Sequence, residues 1–336
     1  MKPPATQAAL RRLLPARLPV LLTGPPGVGK TALVTGMARE LGLDLVISHP
    51  VTGDPTDYRG LPWVVDGAAS FLPVGDLERL QALENRPAVW LIDDLGQASP
   101  AVQASIMQLV HRDGRALNGF RVPESVSVVA CTNRAEDRAG VRQFLAPLLS
   151  RFATILPLEP DVPSFVHWSI QNGFNPLVPA FLRWKPTYLC DQEPASQLEQ
   201  RCSPRTWEHV SRILGLGASQ AELTDLVRGA ISPPVAIEFL AFLQVYHRLP
   251  SADLVRADPE GAPVPAELDA LYATAVHLAG ATSGADFPVL WRYMRRLSPE
   301  FQLLYMLSVV AKHPELVHSS TYIAWASDPD NVALLS

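Results

Sequence analysis

The chain has 336 residues, 48% of them hydrophobic, and a formal net charge of −5. That length gives room for two or three domains with sizeable cores, and the negative balance argues against bulk nucleic-acid binding, though not against a local basic channel. No apolar run approaches the ~20 residues of a membrane span, and the start MKPPATQAALRRLL lacks a secretory apolar region with a cleavage site, so a soluble, cytoplasmic protein is expected.

Three cysteines, Cys131, Cys190 and Cys202, show no metal-ligand spacing and suit a reducing compartment. The 32 prolines are spread along the chain, which points to many defined turns and helix starts. Residues 18–23 (LPVLLT) form an apolar run of strand length. Gly24, Pro25, Pro26, Gly27, Val28, Gly29, Lys30 and Thr31 follow as GPPGVGKT. They match G-x-x-x-x-G-K-[ST], a loop whose backbone N–H groups cradle phosphates. From Thr31 the spacing is helical and is closed by Gly42. The loop therefore lies between a strand and a helix N-terminus, where N–H groups and the positive end of the dipole converge. Lys30 would add charge for the β- and γ-phosphates, and the Thr31 hydroxyl would reach a magnesium ion.

Residues 43–48 predict a second strand, and residues 49–60 a polar, turn-rich piece. Residues 63–65 and 70–72 flank Asp66-Gly67, a hairpin signal. Helical spacing resumes at Asp76. Residues 88–92 (AVWLI) predict a third strand, ending in Asp93 and Asp94. Ser99-Pro100 opens a helix that runs to about Val110. Asn118-Gly119 marks a second hairpin, residues 125–130 a fourth strand ending near Asn133, residues 141–149 a helix, and residues 152–158 a fifth strand. Alternating strands and helices predict a parallel sheet covered on both faces, with ligands at the carboxyl ends of its strands.

The loop, Asp93, Asp94 and Asn133 all fall at such ends. Asp93 stands where a magnesium-holding carboxylate belongs, and Asp94 can orient or deprotonate water. A helix cap or turn is the alternative for that pair. Asn133 can hold the water or the γ-phosphate, or form an Asx-turn. Arg151, in LLSRF, is far along the chain from its own loop and suits a neighbouring subunit's γ-phosphate, or a surface ion pair. Arg138 and Arg142 compete for that task. Arg205, in Ser203-Pro204-Arg205, places a cation in the first turn of a helix, where the dipole disfavours it. That suggests a phosphate contact, with a solvated arginine as the alternative.

The ordered set GPPGVGKT, LIDD, CTN, LLSRF and SPR resembles AAA+ ATPases, and with its two hairpin signals it is similar to their MoxR branch. That branch has a hairpin inserted in the second core helix, here residues 61–73, and another before the sensor strand, here residues 115–122. The resemblance covers about residues 4–214. It implies an α/β fold of P-loop NTPase type: a five-stranded parallel core at 1–158, an α-helical lid at 159–249 and a helical C-terminal extension at 250–336. It implies ATP and Mg2+ as ligands, with Thr31 and Asp93 at the metal. Asp94 stands where the family usually has glutamate, Asn133 matches sensor 1, Arg151 the arginine finger and Arg205 sensor 2. It also implies ATP hydrolysis in a hexameric ring that remodels a client protein, often with a von Willebrand factor A domain partner, and not proteolysis. Asp94 is one methylene short of the usual residue, which puts the hydrolysis rate in question.

In the second half, residues 161–217 read as helices, residues 250–265 as a linker, and residues 266–336 as helices whose aromatics are core residues or a docking face. Trp325 is expected to be exposed near the end. The competing functions are a nucleotide-stabilised assembly protein with slow turnover, a nucleic-acid motor or loader, and a small-molecule phosphotransferase.

Overall fold

The computed structural model describes residues 1–110, 114–137, 144–191, 199–246, 249–329 and 331. The chain divides into two compact units, Met1–Pro160 and Asp161–Ser336. The first unit contains strands β1 (Val20–Thr23), β2 (Asp44–Ser48), β3 (Leu61–Val65), β4 (Ala68–Leu72), β5 (Ala88–Ile92), β6 (Ala116–Leu117), β7 (Phe120–Arg121), β8 (Val126–Thr132) and β9 (Thr154–Pro157). Its helices are α1 (Pro3–Leu13), α2 (Lys30–Glu40), α3 (Pro55–Arg59), α4 (Asp76–Gln81), α5 (Pro100–Val110) and α6 (Ala146–Leu149).

Five strands form one parallel sheet in the order β2-β5-β8-β1-β9. This is the five-stranded P-loop core that the motifs predict. Side chains alternate along each strand, so odd and even positions feed two cores. Leu21, Trp90, Ile92, Val128 and Ala130 pack with Leu77 and Leu80 of α4 and Val102 and Ile106 of α5. Val20, Leu22, Leu91 and Val129 pack on the other face with Leu10 of α1 and with Val34 and Met37 of α2. Every residue of β5 and β8 is buried, which is why these strands read as continuous apolar runs. The register sets Thr23 beside Thr132 and Ile92 beside Ala130. The carboxyl ends of β1, β5 and β8 therefore finish side by side.

Both hairpin signals form hairpins, β3–β4 and β6–β7. Their turns need positive φ at both central residues, and Asp66 (50°), Gly67 (78°), Asn118 (50°) and Gly119 (86°) supply it.

Local details depart from the sequence expectations. The piece expected as turns, 49–60, contains α3, which starts at an Asp54–Asp57 capping box. The first residues form α1, with proline in its first turn and Leu10 buried. Of the helix expected at 141–149, residues 141–143 lie outside the described residues, and the described part is helical only over α6.

The second unit is helical: α7 (Val162–Gln171), α8 (Leu177–Trp184), α9 (Pro204–Leu214), α10 (Gln220–Ala230), α11 (Pro233–Tyr246), α12 (Ala252–Ala257), α13 (Leu268–Ala281), α14 (Phe287–Met294), α15 (Pro299–Lys312) and α16 (Ser320–Ala326). One apolar cluster runs through it, with the Phe181, Trp207 and Phe239 rings within 5.0–5.6 Å of one another. The segment expected as a linker holds α12, and Ala252, Val255 and Ala262 belong to the same cluster. Tyr293, Met294 and Tyr305 are buried core residues. Trp325 is buried too, contrary to expectation: α16 lays it into the cluster, 5.6 Å from the Tyr322 ring. Among the described residues no helix is long and apolar enough to cross a membrane.

Leu91 is fully buried in the sheet, whereas Val64 on the first hairpin is 68% exposed. Leu91→Ala is expected to lower stability by about 2–5 kcal/mol and Val64→Ala by no more than about 0.5 kcal/mol, both read from urea unfolding.

Candidate functional site

β1 ends at Thr23, and the chain turns through residues 24–29 into α2. The turn needs glycine at two places for different reasons. At Gly24 a Cβ would stand 2.6 Å from the Leu158 carbonyl oxygen, so a side chain there would push the loop off β9. Gly29 caps α2 with φ at 100°, a left-handed conformation that costs glycine little. The first N–H groups of α2 have no helical acceptor of their own. They and the dipole make this loop suited to an anion.

Lys30 is 7% exposed. Its Nζ donates to Gly24 O (2.9 Å), Pro25 O (3.1 Å) and Asn133 Oδ1 (2.7 Å). Burial pushes the Lys30 ammonium below the usual lysine range, and the Asp94, Asp93 and Asp137 carboxylates pull the other way. Cys131 lies near it, but burial raises that thiol well above its ordinary range, so it is a neutral core residue and adds no charge.

Asp93 follows β5, and its N–H continues the sheet by donating to Ser48 O (2.9 Å). Its Oδ2 accepts from the Thr31 hydroxyl at 2.7 Å. Asp94 sits in the left-handed region, φ 54° and ψ 33°, which aspartate tolerates better than most residues. Its Oδ1 accepts from Asn133 Nδ2 at 3.3 Å. Asn133 thus bridges the ammonium and the second carboxylate through the two ends of one amide. The register of β1, β5 and β8 brings Lys30, Thr31, Asp93, Asp94 and Asn133 into one group.

The fit to a metal-bound triphosphate is good. The start of α2 sets N–H groups without helical acceptors beside the buried Lys30 ammonium, both of them donors suited to phosphate oxygens. Thr31 and Asp93 are adjacent hard oxygen donors, the kind magnesium takes alongside phosphate oxygens and water. Among the described residues no group of three or more His, Cys, Asp or Glu side chains is arranged to hold a metal without such help.

Residues 20–160 match the family model described as ATPase family associated with various cellular activities (AAA). Residues 20–160 are an AAA ATPase domain. An ATP-hydrolysing enzyme, the class the motifs predict, is the class of this domain. Over 169 residues the chain is 33% identical to the mitochondrial inner membrane i-AAA protease supercomplex subunit YME1 of Saccharomyces cerevisiae, covering 48% of this chain and 20% of that protein. It is 32% identical over 136 residues to the ATP-dependent zinc metalloprotease FtsH 1 of Thermoanaerobacter, covering 37% of this chain and 20% of that one. The aligned stretches therefore span about a fifth of either relative. Among solved structures, the Thermotoga maritima RuvB Holliday junction branch migration motor is similar at 18% identity and a TM-score of 0.40, over 88% of this chain and 86% of that one.

The AAA domain does not bring Arg151 into its own phosphate group. Val20 of β1 pairs with Thr154 of β9, so Arg151 lies beyond the amino ends of these strands, while residues 24–29 leave the carboxyl end. The length of β1 alone separates the two ends by roughly 10 Å. Arg151 Nε instead donates to Met107 O of α5 (2.9 Å). Arg138 and Arg142 lie outside the described residues. Arg205 is exposed in the first turn of α9, behind a Ser203–Thr206 capping box in the second unit.

Gln103 belongs to none of the motifs, yet it is a fully buried polar residue of α5. Its signal in the sequence is faint: a glutamine three residues before Ile106, on the apolar stripe of the helix.

Gly24→Ala and Lys30→Ala are each expected to weaken ATP binding at least tenfold while the chain stays folded. Titration with a fluorescent ATP analogue, beside circular dichroism, measures both.

Proposed function

We propose that the chain is a MoxR-type ATPase subunit that works in a ring, hexameric by resemblance, and uses ATP to remodel or activate a partner protein. The observation that carries this is the group Thr31–Asp93 and Lys30–Asn133–Asp94, with Arg151 held at the opposite end of the same sheet. Lys30 exchanges its bonds to the Gly24 and Pro25 carbonyls for phosphate oxygens, so its charge stays paired. Thr31 and Asp93 would hold Mg2+, which when bound would supply positive charge against the phosphates. Asp94 accepts a proton from the attacking water, and Asn133 keeps that carboxylate in place. Arg151 of one subunit completes the site of the next. Its Nε bond to α5 fixes the side chain without using the two terminal amino groups. Arg205, as sensor 2, and residues 159–249, as a lid, rest on the motif pattern alone, as does a von Willebrand factor A domain partner.

The β3–β4 hairpin supports a protein client. Trp63 (60%), Val64 (68%) and Phe71 (42%) are exposed on it, and neither strand carries a charge. Such a surface suits apolar segments of another polypeptide.

Asp94→Asn and Arg151→Ala should each lower ATP turnover about a thousandfold, with ATP affinity little changed. A mixture of Lys30→Ala and Arg151→Ala subunits should regain part of the rate, because one supplies the finger and the other the cradle. Normal turnover in Arg151→Ala, or no recovery in the mixture, would reject the shared site.

One observation favours slow turnover, in which ATP chiefly holds the assembly together: a short carboxylate on a left-handed backbone at Asp94. On that account Asp94→Glu raises the steady-state rate, and an unchanged or lower rate excludes it.

A further inference from the structure

We infer that Gln103 is a positioning residue that couples the Asp94 segment of a subunit to the arginine that subunit lends to its neighbour. The inference rests on the shared site proposed above. Gln103 is fully buried, and both ends of its amide are engaged. Nε2 donates to Ala98 O (3.1 Å), and Oε1 accepts from Leu145 N (3.1 Å). Flipping the amide would set two donors face to face at Leu145, so the partners fix its orientation.

The two partners belong to different halves of the proposed chemistry. Ala98 ends the short turn that begins at Asp94, whose carbonyl accepts from Gln97 N (2.9 Å). Leu145 is the N-cap of α6, which leads directly to Arg151. Met107 is four residues after Gln103, on the same face of α5, and its carbonyl holds Arg151 Nε. α5 thus grips α6 before its start through Gln103 and past its end through Met107. Leu148 packs in the same core as Val102 and Ile106. A movement of the Asp94 turn is passed through one buried amide to the segment that carries the arginine.

A glutamine here is not explained by packing. An apolar residue of similar volume would fill the space but leave the Ala98 carbonyl and the Leu145 N–H without these partners. Among uncharged side chains of this length, an amide alone donates and accepts together.

The test uses the Lys30→Ala plus Arg151→Ala mixture as its reference, because only cradles of the second variant served by fingers of the first can turn over. Gln103→Met is added once to the cradle-bearing subunit and once to the finger-bearing subunit. Circular dichroism and ATP affinity are measured on each variant. The expected result is a loss of at least fivefold in mixture turnover in both arrangements, with ATP affinity unchanged. A loss confined to one arrangement, or no loss in either, overturns the inference while leaving the shared site standing. A reference mixture that shows no turnover removes the shared site and the inference with it. Should Gln103→Met fail to fold, Gln103→Glu takes its place in both arrangements. Protonated, that glutamate restores the donor to Ala98 O, so mixture turnover should approach the reference toward pH 6 and fall away from it by pH 8.5. A pH profile parallel to the reference would also overturn the inference.

Discussion

A buried ammonium needs acceptors, and the arrangement of the first unit follows from where Lys30 finds them. Two are carbonyls of its own loop, Gly24 and Pro25, and the third is Asn133, more than a hundred residues away. Asn133 is within reach only because β8 runs parallel to β1 with Thr132 beside Thr23. The same register carries β5 to the point where Asp93 meets the Thr31 hydroxyl. Loop, sheet and carboxylates therefore stand or fall together. A phosphate entering this loop would replace carbonyl oxygens as the partner of Lys30 and so leave no buried charge unpaired.

Asp94 shows how backbone and side chain constrain each other. Its φ of 54° belongs to a region where aspartate and asparagine are enriched and longer side chains are less at ease. A shorter carboxylate suits that backbone, and Asn133 reaches across to hold it at 3.3 Å.

Much of the first unit was legible from residue order. Apolar runs marked all five sheet strands; β5 and β8, buried along their whole length, leave no alternation to misread. Asp66-Gly67 and Asn118-Gly119 marked the hairpins, because few residue pairs take positive φ twice. What escaped were features set by distant contacts. α3 looked like loop because its start is dense in proline, aspartate and threonine, yet Tyr58 is anchored in the core. Trp325 looked exposed because it is close to a polar end, and a cluster assembled from α7 to α16 buries it. Gln103 stayed hidden because its partners, Ala98 and Leu145, are 5 and 42 residues away and are backbone groups that leave no trace in composition.

A parallel sheet has two unlike ends, and this constrains any assembly in which Arg151 serves another copy. The phosphate loop leaves the carboxyl end of β1, and Arg151 precedes the amino end of β9 beside it. A two-fold contact would have to present both ends on one self-complementary patch, which their separation along the strand direction opposes. The contact that pairs them is heterologous, one copy's amino-end face against the next copy's carboxyl-end face. Such contacts repeat, and they close into a ring or wind into a filament according to the rotation between neighbours. In such an assembly the segment that presents Arg151 would be held at both ends against α5, the helix whose Gln103 also bonds the Ala98 carbonyl at the end of the Asp94 turn.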